Sequence, residues 1–435
     1  MWDEELYEGE RPKGFRDIPP RLMIVRKEVV SRIEKVFREF GFDPIETPAI
    51  EYWETLAGKY GEEAENRLIW RFQDPLSGRW YALRYDLTVP LARYVKSHQD
   101  TPMPFKRYHI APVWRHEEPQ KGRYREFYQC DADIVGSPYP EADAEVALLA
   151  IKALDSIGFR DYVFKINDRR LLAGIFEEEL GLENPIPVYR AIDKLDKIGK
   201  EGVRKELSKI IPDSRTVDKI MSVISLRGDP SEALGELRRK YGKNRKVSEA
   251  LGHLEETFTL ITDNRVILDL SLVRGLDYYT GPIFEAFLEK PRIGAVAGGG
   301  RYDNLIGIFL KKQVPATGVS LGLERLIDAV IDLGLIRADR ETYTMAYVIY
   351  MKPSLLRNAW EIANTLREAG VPTRIDLIRG STKKQAKRAR RLGVRYLIYV
   401  GEREVEKGFI TVYDTVTGTR SEERLEEFIN KAGAR

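Results

Sequence analysis

Residues 105–136, FKRYHIAPVWRHEEPQKGRYREFYQCDADIVG, constrain this chain more than any other stretch. Two runs suited to extended backbone flank a polar loop at 117–122, which predicts a long antiparallel hairpin. Side chains alternate across a strand, and that alternation sorts the second run. Tyr128, Cys130, Ala132 and Ile134 form an apolar face suited to a core. Arg125, Phe127, Gln129, Asp131 and Asp133 form the other. An amide and two carboxylates in a row are costly to bury without partners. That face is therefore either solvated or the floor of a pocket that reads a polar ligand.

A second polar stretch, Leu272-Val273-Arg274-Gly275-Leu276-Asp277-Tyr278-Tyr279-Thr280-Gly281, lies between strand-like runs at 266–270 and 282–288. A fixed cation beside a glycine, followed by an acid and two phenols, suits a small charged substrate. The plainer alternative is a loop arginine with two tyrosines packing a strand end. Other candidates have the same double reading. Arg115 can fork onto phosphate, and Glu117 points to the same side; a surface ion pair explains them equally. Asp86 and Thr88 precede a helix, as a cap or as ligand-binding groups. Arg325 stands in the first turn of a helix that follows a strand, where anions are attracted. Gly298, Gly299 and Gly300 permit close backbone approach to a ligand, but they lack the spacing of a nucleotide-binding fingerprint.

The wider pattern divides the chain. Leu22, Ile24, Val25, Val29, Ile33, Val36 and Phe37 recur at helical spacing over 20–40, and an extended segment with two prolines follows at 42–48. Strand-rich material over 1–167 and 263–333 is interrupted by a charged helical insertion at 168–262. A linker at 334–342 leads to alternating strands and helices over 343–435, a compact α/β module. The predicted strands are 344–350, 372–377 and 395–400 with a hairpin at 409–420, and the predicted helices are 354–369 and 383–391. The module is also where the charge concentrates. From residue 340 onward 19 Lys and Arg face 12 Asp and Glu, while the whole chain is only +3. Residues 379–395 hold eight basic side chains and no acid, including Lys383, Lys384, Lys387 and Arg388. That density suits phosphate contacts more than a solvated face.

Composition excludes several classes. One cysteine, Cys130, forbids an internal disulfide and any cysteine-based zinc cluster, and the four histidines are scattered. No zinc, haem or flavin is expected. The polar, acidic N-terminus is no signal peptide, and no apolar run reaches the roughly 18 residues of a membrane span. A cytoplasmic protein with no membrane association is the expectation.

The motifs together resemble the class II aminoacyl-tRNA synthetases. The helix at 20–40 with the segment after it resembles their first motif, which builds a homodimer interface. The stretch Arg115-His116-Glu117-Glu118-Pro119-Gln120-Lys121-Gly122-Arg123-Tyr124-Arg125-Glu126-Phe127 resembles motif 2 in its histidyl-tRNA synthetase form. Gly318-Val319-Ser320-Leu321-Gly322-Leu323-Glu324-Arg325-Leu326 resembles motif 3. The run from Arg274 to Gly281 and the run from Ala295 to Asp303 resemble the two signatures specific to that family. The last module resembles the anticodon-binding domain shared with the synthetases for glycine, threonine and proline. The resemblance implies an α+β fold with an antiparallel catalytic sheet flanked by helices. It implies ATP with Mg²⁺, L-histidine and tRNA(His) as partners. It assigns Arg115, Glu117, Arg123, Phe127, Arg274 and Arg325 to ATP, and Asp86, Thr88, Arg115, Gln129, Asp133, Arg274, Tyr278 and Tyr279 to histidine. It gives catalysis to Arg115, Arg274 and Arg325 and places Gln120 near the acceptor end of tRNA. Glu118 departs from the arginine common in bacterial members. A non-catalytic, histidine-sensing subunit of an ATP phosphoribosyltransferase complex is the alternative; such subunits lack the last module and lose arginines of the site.

Overall fold

The computed structural model describes residues 10–61, 64–120, 122–273, 279–336 and 341–433. They fall into two compact units: Glu28–Leu335 with the segment ending at Asp17, and Ile336–Arg435 with Ile18–Lys27.

The larger unit is built on one nine-stranded sheet. Helix α1 (Pro20–Glu39) buries Val29, Ile33, Val36 and Phe37, as their spacing predicts. It leads to the short edge strand β1 (Asp43–Pro44). A small separate sheet, Ile50–Tyr52, Trp80–Leu83 and Arg71–Gln73, precedes α2 (Thr88–Ser97). The predicted hairpin is present as β2 (Phe105–Trp114) and β3 (Glu126–Val135), paired antiparallel from Phe105–Val135 to Trp114–Glu126. Helix α3 (Pro140–Ile157) follows and lies across the sheet, burying Val146, Leu149, Ile151 and Leu154. Each such side chain contributes roughly 1.5–3 kcal/mol.

Strand β4 (Tyr162–Asp168) belongs to the main sheet and leads into the insertion. Its main helices are α4 (Ile186–Ile192), α5 (Leu195–Ile210), α6 (Ser214–Ile224), α7 (Pro230–Tyr241) and α8 (Arg245–Leu260). The segment is not purely helical. Between α6 and α7, β5 (Arg227–Gly228) pairs with β6 (Val266–Asp269) and extends the main sheet by an edge strand. His253 on α8 also reaches Asp143 of α3 at 2.7 Å. The remaining strands are β7 (Pro282–Leu288), β8 (Ala295–Arg301) and β9 (Ala316–Gly322), and β9 runs directly into α9 (Leu323–Asp332).

The strand order is β1-β2-β3-β9-β8-β7-β4-β6-β5. The sheet is antiparallel, as the class II resemblance implies, except that β1–β2 and β4–β6 pair in parallel. Four central strands, β3, β9, β8 and β7, therefore come from the two hairpin regions that carry the polar motifs.

The smaller unit has its own sheet of β10 (Ala346–Tyr350), β11 (Thr373–Ile375), β12 (Tyr396–Val400), β13 (Ile410–Asp414) and β14 (Arg420–Glu423), in the order β11-β10-β12-β13-β14. Helices α10 (Leu356–Glu368), α11 (Thr382–Arg391) and α12 (Leu425–Gly433) accompany it. Its core gathers Val348, Ile398, Val412, Ala363, Leu366 and Phe428. A short helix, Glu402–Lys407, was not expected from the pattern. Strand β11 ends two residues before the predicted 377 because Asp376 turns inward to Tyr347 and Arg388. Among the described residues no helix is long and apolar enough to cross a membrane.

Candidate active site

The polar face of β3 is buried: Gln129 is 8% exposed, Asp131 2% and Asp133 3%. Burial becomes tolerable through cross-strand register, since directly opposed residues share a face. Asp133 stands between Arg107 on β2 and Gly318 on β9; Asp131 stands between His109 and Ser320. The second row continues through Gly298 on β8 to Glu285 on β7. The result is a polar stripe across five strands.

Asp133 is held from two sides. The Arg107 guanidinium, fully buried, lies 2.7 Å from Asp133 Oδ2, and the Tyr302 hydroxyl donates to Oδ1. Gln129 Nε2 donates to Ser320 Oγ at 2.8 Å. Among the described residues Gln129 Oε1 and Asp131 Oδ1 have no hydrogen-bond partner. Burial pushes both Asp131 and Asp133 up, and Arg107 opposes it. Gly318 is required here, because a Cβ on it would lie 2.0 Å from Asp133 Oδ1.

Above this floor is a cavity of about 340 Å³. Asp86, Thr88, Arg115, Tyr279, Tyr60 and Glu285 are among the other residues that line it. Asp86 Oδ1 accepts from Tyr60 Oη at 2.8 Å and from the Val89 amide at 3.0 Å, so it holds the first turn of α2 and faces the cavity at once. Burial raises its carboxyl above the usual range, partly offset by those bonds.

A second cavity, about 400 Å³, lies where the hairpin loop meets the start of α9. Arg115 lines both cavities. Its Nε donates to Tyr85 O at 3.1 Å, and its guanidinium carbon sits 4.4 Å from the Tyr85 ring centre and 5.1 Å from that of Phe127. Phe127, Glu117, Arg123 and Arg325 line the second cavity. Glu117 and Arg123 form an ion pair, with 2.7 Å between Oε1 and Nη2. Burial would raise the Glu117 carboxyl, but Arg123, Arg115 and Arg325 outweigh it and hold it low. Arg325 Nη1 donates to Ala295 O at 2.6 Å, which aims the guanidinium along the wall. Glu324 also lines this cavity, and its carboxylate takes the Tyr128 amide at 3.2 Å and Arg16 at 2.5 Å.

The residues singled out by sequence thus separate. Asp86, Thr88, Gln129, Asp133 and Tyr279 meet around the first cavity, Glu117, Arg123, Phe127 and Arg325 around the second. Arg274 and Tyr278 lie outside the described residues. Gln120 is exposed in the loop and bonds backbone to backbone with Arg123. Glu118 pairs with Lys13, both of them exposed. The glycine triplet has a further cause. Gly298 and Gly299 border the first cavity, but a Cβ on Gly299 would lie 2.1 Å from Gly318 O and one on Gly300 2.5 Å from Pro282 O. Close strand pairing requires them. Sequence reasoning passed over Arg107, Ser320, Glu285, Tyr60 and Tyr302. Ser320 and Tyr302 lie inside the runs 318–326 and 295–303, and Asp131 had a signal in its alternation with Gln129 and Asp133.

In the smaller unit Lys383, Lys384 and Lys387 are exposed on α11. Arg388 is the exception: its Nε donates to the buried Asp376 at 2.7 Å, so it braces the fold instead of joining a solvated patch. Burial works to raise Asp376, and Arg388, Gly380 and Tyr347 hold it low.

The sequence profile described as histidyl-tRNA synthetase matches residues 14–326, and that of an anticodon-binding domain matches 345–435. A relative named histidine–tRNA ligase from Aeropyrum pernix is 62% identical over 94% of this chain and 94% of its own. One from Korarchaeum cryptofilum is 54% identical over 96% of this chain and 99% of its own. The crystal structure of histidyl-tRNA synthetase from Nostoc sp. PCC 7120 superposes with a TM-score of 0.86 at 28% identity, covering 99% of this chain and 100% of that one. With most of its length matched by the family profile, and with identities this high over nearly the whole of its relatives, the chain belongs to the histidyl-tRNA synthetase family.

Proposed function

We propose that the chain activates L-histidine with ATP and transfers it to the 3′ end of tRNA(His), with histidine in the first cavity and ATP in the second. The observation that carries this reading is Arg115, the cation shared by a carboxylate-lined cavity and a cation-lined one. The histidine ammonium goes to Asp86 and Thr88, its imidazole to Gln129, Asp133 and the tyrosines Tyr278 and Tyr279. Adenine stacks on Phe127 with its amino group toward Glu117. The triphosphate runs along Arg123 and Arg325, and Mg²⁺ enters with ATP as part of the substrate.

A histidine carboxylate oxygen attacks the α-phosphorus while the bond to the pyrophosphate oxygen breaks. No protein nucleophile is needed. Catalysis is positioning and charge neutralisation by Arg115, Arg274 and Arg325. A ribose hydroxyl of the terminal adenosine then takes the histidyl group, and AMP leaves. Gln120 stands near that end of the tRNA. Residues 1–167 and 263–333 form the catalytic body, 168–262 an insertion, 334–342 a linker and 343–435 the anticodon-binding module, with Lys383, Lys384 and Lys387 toward tRNA phosphates. The protein works in the cytoplasm as a homodimer assembled through the α1 region. The histidine-sensing alternative is not favoured, because residues 345–435 match the domain that such a subunit lacks.

Histidine-dependent exchange of pyrophosphate into ATP, without tRNA, tests the reading. Exchange with histidine alone among the amino acids is expected; its absence would overturn the assignment.

A further inference from the structure

The insertion reaches the second cavity. Asp193, at the end of α4, and Lys197, in the opening turn of α5, line it together with Arg115, Arg123 and Arg325. The turn is closed on itself, with the Lys197 amide donating to Lys194 O at 2.8 Å. Two residues on, Gly199 breaks the helix with φ 69° and ψ 175°. The break separates this turn from the rest of α5, which packs against α6.

The other cations of the cavity already have protein partners. Arg123 is paired with Glu117, and Arg325 is tied to Ala295 O. Neighbouring Lys194 pairs with Glu206 at 3.5 Å. Among the described residues Lys197 has no such pair. Its ammonium is exposed, compact and carries three donors, which suits phosphate oxygens.

We propose that Lys197 binds the polyphosphate of the nucleoside triphosphate, so that the insertion supplies part of the ATP site. The proposal rests on the second cavity being the nucleotide site. The terminal phosphates of tRNA would offer the same chemistry, and the assay separates the two sources.

The test compares Lys197→Met, Lys197→Arg and Lys194→Met in the full-length chain, using histidine-dependent pyrophosphate exchange without tRNA, followed by tRNA charging. Lys197→Met should raise KM for ATP about tenfold and leave KM for histidine unchanged. Lys197→Arg should restore most of the loss, and Lys194→Met should have no effect. An unchanged KM for ATP in Lys197→Met overturns the proposal. So does a loss confined to tRNA charging, which would give the ammonium to tRNA instead. Lys197 is exposed, and an unchanged melting midpoint confirms that the variants fold. Arg325→Ala keeps the two readings apart. If it too leaves KM for ATP unchanged, the cavity is not the nucleotide site; if it raises that KM while Lys197→Met does not, only Lys197 is misassigned.

Discussion

Over β3, carboxylates are buried and matched from beneath by Arg107, Tyr302 and Ser320; beside α9, arginines line an open wall and are aimed by carbonyls and by Glu117. The first arrangement is buried and tied by side-chain bonds. Its charge is balanced inside the protein, and the acceptors left open, Asp131 Oδ1 and Gln129 Oε1, define where a donor fits. The second keeps its cations at or near solvent, available to a strongly charged ligand. A small cationic or donor-rich side chain is read by fixed geometry, whereas a polyphosphate needs surplus positive charge. Arg115 belongs to both, as expected of a group standing where two substrates react.

The comparison breaks most visibly at Arg107. Replacing it by methionine leaves Asp133 buried without its cation, which should cost about 3–5 kcal/mol in denaturant unfolding. Adding Asp133→Asn should recover much of that loss; a stable Arg107→Met single variant would mean that the floor is not balanced from beneath. Gly318→Ala comes next. The new Cβ would push Asp133 aside, and kcat/KM for histidine should fall about 100-fold with KM for ATP nearly unchanged. Equal losses for both substrates would erase the distinction between the cavities. On the other side, Glu117→Gln releases Arg123, and KM for ATP should rise about tenfold while that for histidine holds.

A further effect concerns pH. His109 lies opposite Asp131, 3% exposed, with no partner at either ring nitrogen among the described residues. Burial, with Arg107 and Arg84 beside it, pulls it from 6.5 down to about 3. The fold therefore holds it neutral while the unfolded chain takes up a proton below 6.5. Its contribution is complete above that value and is lost as pH falls toward 3. In His109→Gln the decline in stability between pH 6.5 and 3 should be shallower by about 1 kcal/mol per pH unit. An unchanged slope would show that His109 titrates normally.

Much of this was legible beforehand. The hairpin over 105–136, the helices on either side and the alternation of the last module all follow from local periodicity. The motif arginines and the acids of β3 stood out because such polarity is expensive in a strand. Glu285 did not stand out because it is a single polar residue in an otherwise apolar strand, and Arg107 and Ser320 because nothing local tells which strand will face them. The edge strand Arg227–Gly228 is too short to have a pattern, and Arg388 looked like any other cation of a basic helix.

What the sequence by itself determined was the inventory: which strands have a polar face, where the fixed charges lie, and which family grammar they follow. Local backbone preference and side-chain alternation act over a few residues, so they are readable in order along the chain. What only the tertiary structure decided was pairing. Placing β9 between β3 and β8 puts Gly318 against Asp133 and Ser320 against Asp131. It also lets a lysine of the insertion line the same cavity as Arg325. Contacts between residues far apart in the chain depend on strand order and register, which hydrogen bonding across the sheet sets and no local pattern encodes.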